Sequence, residues 1–209
     1  MRGVSGTDHI QCHPQDGVHR HSRSLFPWRR ALIVVWALFC NWTLSAQPSK
    51  PGEYMIKATY LYNFARYVEW PARFAAAKGD SFAICVLGQD PFGTALDATI
   101  AGETIDGQSL LAKRISEPKQ GLNCRVLFIS SSEEGRLKEI LTTLDKTGVL
   151  TVSDMPNFSK RGGMIEFVLD GDRIRFVVNL TPAQDAGLTV SSELLKVAIS
   201  VRRDSHPGD

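Results

Sequence analysis

Histidine is almost absent from the part of this chain that can fold as a globular domain. Four of the five histidines lie in the first 21 residues, and the fifth, His206, lies in the polar C-terminal tail. This distribution excludes histidine-based acid–base catalysis, Ser-His-Asp triads and most zinc sites from the main domain. The chain also lacks a P-loop, a dinucleotide-binding glycine motif after a strand and a Gly-x-Ser-x-Gly elbow. We therefore expect a protein that is not an enzyme and has no cofactor or metal ion.

A basic surface is lacking once the N-terminal segment is set aside. Residues 1–46 hold five arginines and two aspartates, so 19 of the 24 basic and 20 of the 22 acidic side chains follow residue 46. The basic isoelectric point of the whole chain therefore comes from residues 1–46. Because nucleic-acid binding needs a basic face, we expect no nucleic-acid partner.

The N-terminal segment has the layout of a secretory signal peptide. Two arginines, Arg29 and Arg30, precede the apolar run 31–40, and small and polar residues follow as far as Ala46. The apolar run is short for a membrane span, although an uncleaved anchor is the alternative. We expect cleavage near Ala46, an extension with signal peptide over 1–46, one domain over 47–203 and a flexible tail over 204–209.

Only two cysteines, Cys85 and Cys124, remain after that cleavage. An exported chain with two cysteines most simply forms one disulfide, here closing a loop of about 40 residues. Two buried free thiols are the alternative.

The stretch 57–71, KATYLYNFARYVEWP, predicts an aromatic helix that Pro71 ends. Its apolar positions form two neighbouring lines, and the polar face between them is narrow. The first line is Tyr54, Ala58, Leu61, Ala65 and Val68; the second is Ile56, Tyr60, Phe64 and Tyr67; the polar face is Lys57, Asn63, Arg66 and Glu69. Such a helix is either entirely core, or part core and part interface. Arg66 and Trp70, one turn apart and able to form a cation–π pair, are expected to mark the exposed side, and with Tyr62 they are expected to take part in an interaction.

Short apolar strands alternate with helices along the rest of the domain. Strands are expected at 81–88, 124–130 and 149–152, with helices after Asp90 and Ser132. Segments 164–169 and 173–178 flank Asp-Gly-Asp and predict a β-hairpin, which a C-terminal helix region from Thr181 follows. This pattern predicts a single α/β domain whose mostly parallel sheet is flanked by helices on both faces.

The most distinctive polar segment is 151–163, TVSDMPNFSKRGG. It leaves the carboxyl end of a strand, where open α/β sheets bind ligands. We expect Asp154, Phe158 and Arg161 to take part in an interaction, with Phe158 exposed. An ordinary connection into the hairpin is the alternative.

Together these segments resemble the YfiR family of periplasmic regulators. The resemblance covers about 54–201 and rests on KATYLYNFARYVEWP (57–71), ICVLGQDPFG (84–93), CRVLFIS (124–130), LTVSDMPNFSKRGGMIEF (150–167), RIRFVVNL (173–180) and AGLTVSSELLKVA (186–198).

The resemblance implies a non-catalytic periplasmic protein that inhibits a diguanylate cyclase of the inner membrane through its periplasmic part, and so controls cyclic di-GMP and biofilm behaviour. It also implies that an outer-membrane lipoprotein can sequester the inhibitor, that the protein forms a homodimer, and that Cys85 and Cys124 are a family disulfide. A second family pair has no counterpart here, because no cysteine follows Cys124. A periplasmic small-molecule-binding protein that serves a sensor kinase or transporter is the alternative function.

Overall fold

The computed structural model describes residues 51–71 and 81–203. The chain divides into two compact units, Met1–Gln47 and Pro48–Asp209. The first unit lies outside the described residues, as does the segment 204–209. The expected signal peptide, its cleavage near Ala46 and the flexible tail therefore remain predictions.

The described elements are five α-helices, ten strands and three 3-10 helices. The α-helices are α1 (Pro51–Tyr67), α2 (Ala95–Ile100), α3 (Leu137–Thr143), α4 (Leu180–Asp185) and α5 (Ser192–Val197). The strands are β1 (Val68–Glu69), β2 (Phe82–Leu87), β3 (Thr104–Ile105), β4 (Gln108–Ile115), β5 (Val126–Ile129), β6 (Leu150–Ser153), β7 (Ile165–Asp170), β8 (Arg173–Asn179), β9 (Thr189–Val190) and β10 (Ser200–Arg202). The 3-10 helices are Pro118–Asn123, Ser131–Arg136 and Ser159–Arg161.

Eight of these strands form one sheet in the order β10-β8-β7-β6-β5-β2-β4-β3. All neighbouring strands are parallel except β7 with β8 and β3 with β4, which are antiparallel. The β7–β8 pair is the hairpin that the Asp-Gly-Asp turn predicts. The mostly parallel α/β fold expected from the sequence is confirmed.

Helices cover both faces of this sheet, as the alternation along β2 shows. Phe82, Ile84 and Val86 belong to one buried cluster, which also contains residues of α1, α2, α4 and α5. Ala83, Cys85 and Leu87 point to the other face, into a cluster that includes residues of α3. Because successive side chains of a strand point to opposite faces, a continuous apolar run such as β2 is buried on both sides.

The predicted disulfide is present. Cys85 lies within β2, and Cys124 follows the 3-10 helix Pro118–Asn123. Their Cα atoms are 6.0 Å apart, which is an ordinary separation for a bridged pair. Both cysteines are buried, so the bridge joins the sheet to the connection before β5.

Two boundaries differ from the sequence-based expectations. The aromatic helix ends at Tyr67 rather than at Pro71, because Val68 and Glu69 leave it to pair with β9. The C-terminal region is two short helices followed by β10, which runs parallel to β8. Val201 lies exposed in β10.

Candidate functional site

The usual ligand position of an open α/β sheet is occupied by this chain's own residues. The strand order changes direction between β2 and β5, and ligands commonly bind at the carboxyl ends of strands at such a point. Here Ser132 and Glu133 press against Gly88, where a Cβ would lie 2.5 Å from the Ser132 Oγ. The backbone N–H of Gln89 also donates to the Ser132 Oγ, at 2.9 Å. Beyond β5 in the sheet, the carboxyl end of β6 leads into the polar loop that begins at Asp154.

Asp154 follows β6 and is paired with a buried lysine of α1. Lys57 was expected on the polar face of the helix, but the structure leaves it only 3% exposed. Its Nζ lies 2.6 Å from both Glu53 Oε1 and Asp154 Oδ2. The Tyr54 hydroxyl donates to the same Asp154 oxygen at 2.9 Å. Lys57 is buried because two carboxylates compensate its charge, and its partner Asp154 is 97 residues away.

Tyr54 completes this network. The Lys57 Nζ lies 4.3 Å from the centre of the Tyr54 ring, within range of a cation–π interaction. Burial, followed by the charge of Asp154 and its hydrogen bond, raises the pKa of Tyr54 well above the usual value for a phenol. Tyr54 therefore keeps its proton, and donates to Asp154, at alkaline pH values at which an ordinary phenol ionises.

The loop from Asp154 to Gly163 is held from inside by Glu166 of β7. Its carboxylate accepts from the backbone N–H of Asn157 at 2.8 Å, from the N–H of Ser159 at 3.0 Å and from the Ser159 hydroxyl at 2.6 Å. Glu166 itself is buried. A buried carboxylate that accepts three hydrogen bonds is compensated by the loop it orders.

Phe158 is not a surface residue, and its expected exposure is wrong. The side chain is 0% exposed and belongs to the α3-side cluster with Leu137 and Ile140. The bend after the 3-10 helix Ser159–Arg161 brings Gly163 back against the Phe158 ring, so that a Cβ at Gly163 would overlap the ring. Phe158 therefore fixes the loop to the core.

Arg161, by contrast, lies at the surface. Its Nη1 is 3.0 Å from Glu134 Oε1, and both side chains are well exposed. The pair connects the loop to the 3-10 helix before α3. Such a surface ion pair contributes little stability.

A cavity of about 420 Å³ lies between α1, the loop after β6 and the β7–β8 hairpin. Its lining combines four charged side chains with an apolar wall: Glu53, Lys57, Asp154, Pro156, Asn157, Glu166, Phe167, Val168, Leu169 and Ile174. Asp154 is thus the one predicted interaction residue in this cavity.

Three apolar side chains of α1 that were not among the expected interaction residues are exposed. Met55 is 50% exposed, Ile56 48% and Tyr67 41%, so part of the second apolar line is not used by the core. Ile56 and Tyr67 are eleven residues, or three helical turns, apart and share this face. The helix is therefore part core and part free surface within the described chain.

Arg66 and Trp70 do not form a cation–π pair. The Arg66 guanidinium lies over the Tyr62 ring, 5.6 Å from its centre, and Trp70 packs edge-on against Phe82 at 5.2 Å. The helix ends before Trp70, so the one-turn spacing to Arg66 is lost. The Tyr62 hydroxyl donates to Glu103, and this hydrogen bond raises the pKa of Tyr62.

Within the ranges 51–71 and 81–203, no group of three or more potential ligand residues is arranged to hold a metal ion. None of the helices described there is long and apolar enough to cross a membrane. All five histidines lie outside these ranges.

Two solved structures resemble part of this fold. One is a conserved domain protein from Vibrio cholerae, with 12% identity and a TM-score of 0.45, covering 57% of this chain and 54% of that one. The other is an ABC domain from Streptococcus pneumoniae in complex with L-Trp, with 13% identity and a TM-score of 0.43, covering 58% and 55%. This chain thus spans about half of each structure, and neither indicates a function for it.

The YfiR/HmsC-like family matches residues 54–199. This span runs from Tyr54 of the buried network to Ile199, next to β10, and includes both cysteines, the loop after β6 and the hairpin. The chain belongs to the YfiR/HmsC-like family.

Proposed function

We propose that this protein inhibits a diguanylate cyclase anchored in the inner membrane by binding the periplasmic part of that enzyme. Family membership supports the signalling role. The observation that carries the binding role is the exposed apolar surface of α1, where Ile56 and Tyr67 share a face and Met55 lies about 100° further around the helix.

This face is unusual because it lies on a helix that already contributes to the core. Ala58, Leu61 and Phe64 are fully buried on the opposite side of α1. Single exposed apolar side chains are ordinary, whereas several on one helical face are typical of a recognition surface. An amphipathic partner helix or an apolar groove can bind such a face.

The same face can serve the other expected partners. A homodimer would bury it against a second copy, and an outer-membrane lipoprotein that competes for it would release the cyclase. Both follow from the family resemblance and are part of this proposal.

The test is titration calorimetry of the exported protein with the periplasmic segment of a cyclase encoded beside its gene. We expect binding, and at least tenfold weaker binding for Ile56→Glu, which places a charge in the apolar face. Leu122→Glu is the matched control, because Leu122 is comparably exposed on the separate 3-10 helix Pro118–Asn123.

Equal affinity of Ile56→Glu and the unaltered protein would contradict the assignment of the face, and no binding at all would contradict cyclase inhibition. Light scattering of the same two variants shows whether a second copy occupies the face instead. In that case Ile56→Glu, but not Leu122→Glu, is monomeric.

A further inference from the structure

We propose that the cavity beside Lys57 is a binding site for a small organic cation with an apolar body. The cavity is separate from the exposed face of α1, because Met55, Ile56 and Tyr67 are not among its lining residues. The inference therefore does not depend on cyclase binding.

The size and walls of the cavity suit a small molecule. Its volume of about 420 Å³ lies within the range of about 300–1,000 Å³ usual for ligand pockets. Phe167, Val168 and Ile174 of the hairpin form an apolar wall, with Pro156 contributed by the loop. Such a wall favours a ligand with a ring or a short hydrocarbon chain over a bare ion.

The charge of the lining selects a cation. Three carboxylates, Glu53, Asp154 and Glu166, face one ammonium, that of Lys57. Lys57 is buried and its ammonium is already paired with both Glu53 and Asp154, so its charge is compensated before any ligand binds. The carboxylates of the lining outnumber the ammonium by two, so the cavity is net negative.

Acceptor groups for the ligand are available on two of the carboxylates. Lys57 contacts Oε1 of Glu53 and Oδ2 of Asp154, and the second oxygen of each has no hydrogen bond to another described residue. Glu166 differs, because the backbone of Asn157 and Ser159 occupies both of its oxygens. A ligand ammonium would bind Glu53 and Asp154 and place its apolar part on the hairpin wall.

The experiment compares three probes of one shape on protein produced from the full-length chain. Phenethylamine carries the cation, 2-phenylethanol is its neutral counterpart and phenylacetate is an anionic one. Calorimetry is expected to show binding of phenethylamine and at least tenfold weaker binding of the other two, as loss of a charge-assisted hydrogen bond predicts. Binding of phenylacetate as tight as that of phenethylamine, or no binding of phenethylamine at millimolar concentration, would overturn the proposal.

Two variants and one control locate the site. Glu53→Gln removes a partly exposed carboxylate and should weaken phenethylamine binding about tenfold, whereas Val168→Trp fills the cavity and should abolish it. Glu134→Gln removes an exposed carboxylate outside the cavity and should leave the affinity unchanged. Circular dichroism confirms that each variant is folded. Unchanged affinity in a folded Val168→Trp protein would place any binding elsewhere and refute the assignment.

Discussion

The Nζ of Lys57 and the Oδ2 of Asp154 lie 2.6 Å apart, so a buried ion pair joins helix α1 to the loop that follows β6. Removing one partner of such a pair leaves an uncompensated buried charge, which costs about 3–5 kcal/mol. We therefore expect Lys57→Met to lower the free energy of unfolding by about 3 kcal/mol in urea denaturation.

A second substitution measures the coupling between Lys57 and Asp154 apart from their other contacts. The Lys57→Met substitution leaves the carboxylates of both Glu53 and Asp154 without their lysine partner. Asp154→Asn in this background removes one of them, so the double variant should be more stable than the sum of the two single effects predicts. Lys138→Met is the control, because this lysine is exposed on α3 and its loss should change stability by no more than about 0.5 kcal/mol. Strict additivity of the two substitutions would show that the pair is not coupled.

The Cys85–Cys124 bridge stabilises the fold by constraining the unfolded chain. Its two cysteines are 39 residues apart, and loop closure of that length is worth about 4 kcal/mol in the chain-entropy model. The Cys85→Ala/Cys124→Ala variant should therefore melt at a markedly lower temperature than the oxidised protein. Reductant should lower the melting temperature of the unaltered protein and leave that of the variant unchanged. The same melting temperature for oxidised and reduced protein would refute this prediction.

Much of the fold could be predicted because its strands are locally encoded. The runs in β2 and β5 are continuously apolar, and such runs predict strands buried on both faces whatever their neighbours are. Strand β10 could not be predicted in this way, since Ser200–Arg202 has a single apolar residue and becomes a strand only by pairing with β8. Tertiary contact, not local pattern, decides such edges.

The candidate site was harder to predict for the same reason. Asp154 and the loop after β6 could be identified by their position at a strand end. The burial of Lys57 depends on Asp154, which is distant in sequence, and the burial of Glu166 depends on hydrogen bonds from the loop. Phe158 was misplaced because a lone aromatic in a polar segment has no periodicity to show which way it points. Gly162 and Gly163, four and five residues after Phe158, were the available signal, because a glycine allows an aromatic ring to pack against the backbone.

Glu166 should be needed for the order of that loop. Glu166→Gln replaces one accepting oxygen by an NH₂ group that faces the backbone N–H groups, so a buried donor loses its partner. We expect a loss of about 2 kcal/mol in stability and faster amide hydrogen exchange confined to 154–163. Asp170→Asn at the exposed hairpin turn is the control and should change neither quantity. Uniformly faster exchange in both variants would argue against a specific clamp.

The contact between Gly163 and Phe158 makes a second prediction for the loop. A Cβ at position 163 would overlap the buried Phe158 ring, so Gly163→Ala should destabilise the protein by about 1–3 kcal/mol. Gly135→Ala is the matched control, because no atom lies within 4 Å of a Cβ built there. Thermal unfolding of the two variants decides the matter. Equal melting temperatures would mean that the ring moves aside without cost.

The alkaline behaviour of the protein should report on Tyr54. Its pKa is raised by burial and by Asp154, so the folded protein keeps a proton that the unfolded chain releases above about pH 10. The contribution of Tyr54 to the free energy of unfolding is therefore fully present below about pH 10. It is lost as the pH rises further, because the unfolded chain releases the phenol proton more readily than the folded protein does. All four tyrosines lie in α1. Ultraviolet titration of the phenols should show the last ionisation at Tyr54, later than that of Tyr62, whose pKa the hydrogen bond to Glu103 also raises.

Tyr54→Phe should remove that late step and flatten the loss of stability above pH 10, although it also removes the hydrogen bond to Asp154 and so lowers stability at neutral pH by about 1 kcal/mol. Tyr67→Phe, on the exposed face of the same helix, should keep the late step. The pH slope separates the two effects, since a lost hydrogen bond lowers stability at every pH, whereas a lost ionisation changes only the alkaline limb. If the last ionisation step persists in Tyr54→Phe, that step belongs to another tyrosine, and the buried network does not raise the pKa of Tyr54 as stated.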